Sequence, residues 1–174
     1  MRVDRPRILM FAPLCYPPAS SEAIATSKLL LAALDAGWEI DVISQADLGH
    51  YYPANIDGVW EPISRIVHNI EGIKLSGIVK GLAPWTAIHK TSGLESIFWS
   101  LKALRLGMHL LSKKKYDFIL SRAAPQYGHL PALIISRWTN IPWVASWSDP
   151  MPPQKAPQPQ PNQCLRFHHA LELL

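Results

Sequence analysis

Short, uncharged apolar runs alternate along this chain with longer amphipathic stretches, and the alternation predicts strands joined by helices. Ile8–Phe11 predicts a strand buried on both faces. Pro13, Pro17 and Pro18 then interrupt regular structure. Ser20 or Ser21 can cap a helix running to about Ala36, with Glu22 in the first turn, where the helix dipole favours an acid. Ile24, Ser27, Leu31 and Leu34 recur at helical spacing, and Leu30 widens that stripe. Gly37 suits the position just past the helix end. Trp38–Ser44 completes a βαβ unit, whose crossover should be right-handed.

Gln45–Pro62 predicts a connecting loop with a short helical turn, in which Tyr51 and Tyr52 pack over a sheet edge or meet a ligand. Ile63–Ile70 predicts a third strand. His68 within it has no cysteine or carboxylate at metal-ligand spacing, which favours a structural role. Residues 71–93 mix glycines, apolar positions and Lys74, Lys80 and Lys90. A short amphipathic helix there can lie on a membrane surface or cover the sheet, and both readings stay open. Leu94–Lys114 predicts a longer helix with a core stripe of Leu94, Ile97, Leu101, Leu104, Met108 and Leu111, broadened by Phe98 and Trp99. Ser92 with Glu95 forms a capping box, and Lys113–Lys115 complements the carboxyl end.

Asp117–Ser121, Tyr127–Arg137 and Ile141–Trp147 predict a second βαβ unit, with Pro131 in the helix's first turn and Pro142 opening the last strand. The fold class that follows is α/β: a Rossmann-like open, mostly parallel sheet with helices on both faces. Residues 1–153 form that domain. Residues 154–174 are a proline- and glutamine-rich connection and the start of an amphipathic helix, Cys164–Leu174. The helical pattern still runs at Leu174, so a longer protein is expected, with a short helix docking back on the domain as the alternative.

Composition narrows the function classes. A chain of 174 residues with 48% hydrophobic content can bury a core and is not of the disordered type. The net charge of +4 is spread out, and only Lys113–Lys115 is compact, so no nucleic acid partner is expected. A mildly basic surface can still meet an anionic membrane or a phosphorylated ligand. Cys15 and Cys164 make no disulfide framework, and the amino terminus shows neither signal peptide nor span. A cytoplasmic location is expected, with peripheral contact at the inner face of the membrane left open. Neither GxGxxG nor GxxxxGK[ST] occurs, which argues against an NAD or FAD oxidoreductase and a P-loop ATPase or GTPase. The histidines are dispersed, and no metal site or intrinsic cofactor is expected.

Ligands in open parallel sheets bind outside the carboxyl ends of the strands. The loops available to a ligand are therefore 12–21, 45–62, 71–93, 122–129 and 148–153. Asp149 ends a strand on that side and can orient a ligand hydroxyl, with an Asp-Pro turn as the competing role. Ser20 and Ser21 can offer hydroxyl or backbone donors at a helix N-terminus, although capping accounts for at least one of them. Arg122 can contact an anionic ligand or form a surface salt bridge. Tyr127 and His129 follow the same strand end as further ligand-side candidates.

The stretches RILMFAPLCYPP, SEAIATSKLLLAALDAGWEIDVIS, YDFILSRAAP and IPWVASWSDPMPP together resemble the amino-terminal domain of a family 4 glycosyltransferase, over roughly residues 7–153. The resemblance implies one half of a GT-B architecture, in which two Rossmann-like domains face each other. It implies a retaining transfer from a nucleotide-diphosphate sugar to a hydroxyl on a sugar, polysaccharide precursor or lipid-linked acceptor, as in the building of cell-envelope polysaccharides. The acceptor site would lie largely in this half, with Arg122, Tyr127 and His129 as acceptor-binding candidates and Asp149 as the catalytic candidate that orients an acceptor or donor-sugar hydroxyl. The donor contacts, including a Glu-containing motif, would belong to a carboxyl-terminal domain absent from these residues, so the isolated chain should not turn over. Two departures stand out. The glycines frequent in the family's first loop are replaced by Pro18-Ala19-Ser20-Ser21-Glu22, and a frequent histidine gives way to Ser146-Trp147-Ser148-Asp149. Asp149 resembles the aspartate of the bacterial subset. A non-catalytic nucleotide-binding or protein-interaction domain of the same architecture is the alternative.

Overall fold

The structure, a computed structural model, describes residues 5–15, 20–45, 61–71, 93–122 and 126–147, without the side chains of residues 93–95. In chain order the elements are β1 (Arg7–Phe11), α1 (Ser21–Asp35), β2 (Glu39–Gln45), α2 (Glu61–Ser64), β3 (Val67–Ile70), α3 (Gly93–Lys113), β4 (Phe118–Arg122), a 3-10 turn (Gln126–Gly128), α4 (His129–Thr139) and β5 (Trp143–Ser146). The five strands form an all-parallel sheet in the order β3-β2-β1-β4-β5. This is the α/β, Rossmann-like open sheet that the hydrophobic pattern predicts. Tyr51, Tyr52, the 72–92 stretch, the Ser92–Glu95 capping box, Asp149 and the Cys164–Leu174 helix lie outside the described residues or side chains.

β1 has partners on both edges: Ile8 pairs with Ile40 and with Phe118, and Phe11 with Ile43 and with Ser121. Its side chains alternate between two cores. Leu9 and Phe11 join Ile43, Ile119, Trp99, Ala103, Leu110, Ala132 and Ile135 beneath α3 and α4. Ile8 and Met10 join Leu30, Ala33, Ile40, Val42 and Ile63 beneath α1 and α2. Burial on both faces explains the uncharged run at Ile8–Phe11.

Local chemistry fixes the helix ends. Ser20 is the α1 cap, its Oγ accepting from the Ala23 amide at 3.1 Å. Gly37 adopts φ +82°, the left-handed conformation that lets the chain leave α1 for β2. Asn140 plays that part after α4 at φ 58°, its amide bonding the Ser136 carbonyl at 2.8 Å.

Three expectations need correction. The buried face of α1 is Ala23, Thr26, Ser27, Leu30 and Ala33, while Ile24 is exposed. The stretch 63–70 is a short helix turning into a strand of Val67–Ile70, not one strand throughout. The largest change concerns α3. Its buried seam is Trp99, Ala103 and Leu110, whereas Ile97, Phe98, Leu101 and Met108 of the expected core stripe are exposed. Small residues decide which face goes in. A Cβ on Gly107 would lie 2.7 Å from Ile135 Cδ1 and 2.9 Å from Phe11 Cζ, so α3 settles where glycine permits close approach.

Gly107→Ala tests that seam. An exposed helical glycine gains about 1 kcal/mol on replacement by alanine. At Gly107 overpacking of about 1–3 kcal/mol should outweigh the gain, for a net loss of about 1 kcal/mol. Urea denaturation should show a lower midpoint for Gly107→Ala, with Met108→Ala within about 0.5 kcal/mol of the parent. A stabilised Gly107→Ala would show that the seam is not close-packed.

Candidate functional site

The chain builds β1, β2 and β3 outward in one direction, then returns to place β4 and β5 on the other side of β1. The loops leaving β1 and β4 therefore diverge, which makes their carboxyl ends the switch point where open α/β sheets hold ligands. Beyond β1, residues 12–15 remain buried. The Pro13 carbonyl accepts from Ser44 Oγ and from the Gln45 amide, each at 3.1 Å, tying this loop to the end of β2. Gly128 packs against the same loop: a Cβ there would stand 2.7 Å from Pro13 Cδ and 3.2 Å from the Arg122 carbonyl.

Arg122, the last residue of β4, reaches the first turn of α1. Its Nε and Nη2 donate to Glu22 Oε1 at 2.9 and 2.8 Å, and Nη1 donates to Ser146 Oγ at 3.4 Å. The two charged side chains are only 15% and 12% exposed, so the pair is largely out of water. The surface salt bridge weighed for Arg122 is thus a mostly buried clasp between β4, α1 and β5. Tyr127 donates from its phenol to Gln45 Oε1 at 2.5 Å, and its ring meets Trp99 edge-on at 5.2 Å. Ser20 uses its hydroxyl in the cap, while Ser21, the first helical residue, is exposed.

His129 lies deeper, at 1% exposure. The Trp143 indole donates to Ser121 Oγ at 2.8 Å, and Ser121 Oγ stands 2.6 Å from His129 Nδ1. Because indole only donates, the simplest proton assignment has the serine hydroxyl donating to Nδ1, with the neutral ring's proton on Nε2. Among the described residues Nε2 has no hydrogen-bond partner, and the ring lies against Trp147, centroids 4.2 Å apart. Burial pushes the imidazole pKa down to about 4.

Ser20, Ser21, Arg122 and Tyr127 thus share the carboxyl edge of the sheet, with His129 beneath it. Glu22, Gln45, Ser121 and Ser146 join them. Glu22 was visible only as a first-turn acid; its partner stands 100 residues away. A second polar cluster sits in the amino-terminal part of β2. Asp41 accepts from Tyr116 Oη at 2.8 Å and pairs with His68 Nε2 at 2.9 Å and Lys114 Nζ at 2.5 Å. Burial alone would raise the Asp41 pKa, but His68, Lys114 and Tyr116 outweigh it and hold it below the usual value. Burial, then the Asp41 charge, pushes the Tyr116 phenol well above its ordinary range. His68 therefore does have a carboxylate partner, supplied by the neighbouring strand. Among the described residues no group of three or more His, Cys, Asp or Glu could hold a metal ion. No family model matches the sequence, and no curated protein matches it.

The buried neutral imidazole sets a pH dependence. An unfolded histidine takes up a proton near pH 6.5, whereas folded His129 resists until about pH 4. The unfolded state binds more protons in that window, so stability should fall by about 3 kcal/mol as the pH drops from 6.5 to 4. Asp41 adds a loss in the same direction only below pH 3.8. Denaturation midpoints across the upper window should show the slope, and His129→Leu should flatten it. An unchanged slope in that variant would assign it to other groups.

Proposed function

We propose that this chain is the acceptor-side half of a retaining glycosyltransferase of GT-B architecture, taking a sugar from a nucleotide-diphosphate donor to a hydroxyl acceptor. The observation that carries this is the meeting of β1, the capped N-terminus of α1 and Arg122 at the switch point of the all-parallel sheet. The family 4 resemblance supports the same reading.

Departure of the nucleotide diphosphate develops negative charge, and oriented backbone donors stabilise it without rearrangement. The first turn of α1 has amides that no helical carbonyl accepts from, Ser21 among them, and it presents the positive end of the helix dipole. Arg122 keeps Glu22 neutralised beside that turn, so the carboxylate does not repel an approaching anion. Tyr127, tied to Gln45, stiffens the acceptor side. Asp149 follows β5 in sequence and would orient an attacking hydroxyl. The donor-binding contacts would come from a second domain, since transfer needs both substrates in one cleft.

The commitment of Arg122 to Glu22 and Ser146 also favours a second reading, a nucleotide-binding or interaction domain without transfer, in which the clasp is purely structural. A screen of nucleotide sugars for hydrolysis and transfer separates the two. It should be run on this chain alone and on a protein in which a donor-side domain accompanies it. Turnover only in the two-domain protein is expected, and there Asp149→Asn should lower kcat on the order of 100-fold with little change in unfolding midpoint. Sustained turnover by this chain alone would overturn the division of labour, and an unaltered kcat would remove Asp149 from the site.

A further inference from the structure

Part of the stripe expected to sit in the core of α3, namely Ile97, Leu101 and Met108, instead faces solvent, while Leu104 and Leu111 pack on the core. Leu101 is 56% exposed and Ile97 52%, and Trp138 of the neighbouring α4 is 65% exposed. Soluble proteins seldom leave several large apolar side chains uncovered on adjacent helices without a partner for them.

Charge identifies the partner. From Ser96 to Lys115, and again from Gln126 to Trp147, the sequence contains no aspartate or glutamate. Exposed Lys102, Arg105, Lys113 and Arg137 lie on these same two helices. The opposite layer differs: α1 and α2 carry Glu22, Asp35 and Glu61. Glu95 at the start of α3 and Glu71, whose carbonyl accepts from Lys102 Nζ at 3.0 Å, are the acids near this face, so one side of the sheet combines exposed apolar residues with an excess of cations. A second copy of this chain docking here about a two-fold axis would set one predominantly cationic face against another. An anionic lipid surface accepts both features at once, because apolar side chains enter the headgroup boundary while lysine and arginine meet phosphates. Among the described residues no helix is long and apolar enough to cross a membrane, so contact through this face would be made by helices lying along the surface.

We propose that the outer face of α3 and α4 docks on an anionic bilayer, with Ile97, Leu101 and Trp138 in the interface and Lys102 and Arg105 on lipid phosphates. This does not depend on glycosyl transfer, and the test reads binding alone. The full chain is sedimented with vesicles of phosphatidylcholine, either pure or with roughly one lipid in three replaced by phosphatidylglycerol. Binding is expected only to the anionic vesicles, with a loss of about five-fold for Lys102→Gln and again for Arg105→Gln. Leu101→Ser should weaken binding about ten-fold. Leu29→Ser, which removes an exposed leucine from α1 on the other layer, should leave it unchanged. Tryptophan emission should shift to the blue on binding, by less in Trp138→Phe. The proposal fails if the chain ignores anionic vesicles, binds both kinds equally, or responds alike to Leu101→Ser and Leu29→Ser. It also fails if the chain self-associates in solution through a contact that Leu101→Ser abolishes.

Discussion

The double burial of β1 is the constraint on which the other elements depend. With partners on both edges and helices over both faces, Ile8, Leu9, Met10 and Phe11 have essentially no contact with water. Each such side chain contributes about 1.5–3 kcal/mol by leaving water, and no charged residue could occupy any of the four positions without a buried partner. Because successive residues point to opposite faces, a one-residue slip of β1 would exchange the two cores and set Phe11 against α1. The register of β2 and β4 follows from β1, and so does the placing of α1 and α4 on opposite sides.

The two ends of the sheet use polar residues differently. Around Asp41, a buried carboxylate is matched by three partners from two segments, His68 on β3 and Lys114 and Tyr116 between α3 and β4, and the result is a satisfied cluster. At the carboxyl edge the polar contacts join elements that the backbone ladder does not: Arg122 links β4 to α1, Tyr127 links the 3-10 turn to β2, and Ser44 fixes the loop after β1. These contacts fix the relative positions of β2, β4, β5 and α1 at that edge.

Local signals were legible in the sequence, and the pairing of distant polar residues was not. Ser20 and Gly37 announced the ends of α1 because capping and positive φ depend on a few neighbouring residues. The strands were legible because a run buried on both faces must lack charge. The orientation of α3 was misread because its seam is made by Ala103 and Gly107, whose value lies in being small, and small residues carry little hydrophobic signal. The partners of Asp41 and Arg122 stand far off in the chain, so no spacing rule could bring them together. Of the candidate site, its location at the carboxyl edge followed from topology. The depth of His129 did not, because a polar residue at a helix start is usually exposed.

The two-sided pairing of β1 also has a consequence for synthesis. Its first neighbour, β2, follows after a single helix, but Arg7 and Asp117, which bond to each other beside the β1–β4 pairing, are 110 residues apart. At about 5–20 residues per second, one edge of the most apolar strand waits roughly 5–20 s on the ribosome before β4 exists to cover it. An open apolar edge is a template for pairing with other chains. The nascent protein therefore passes through a half-built sheet that must be shielded, so its yield in a cell depends on translation speed and chaperone supply as well as on the stability of the finished fold.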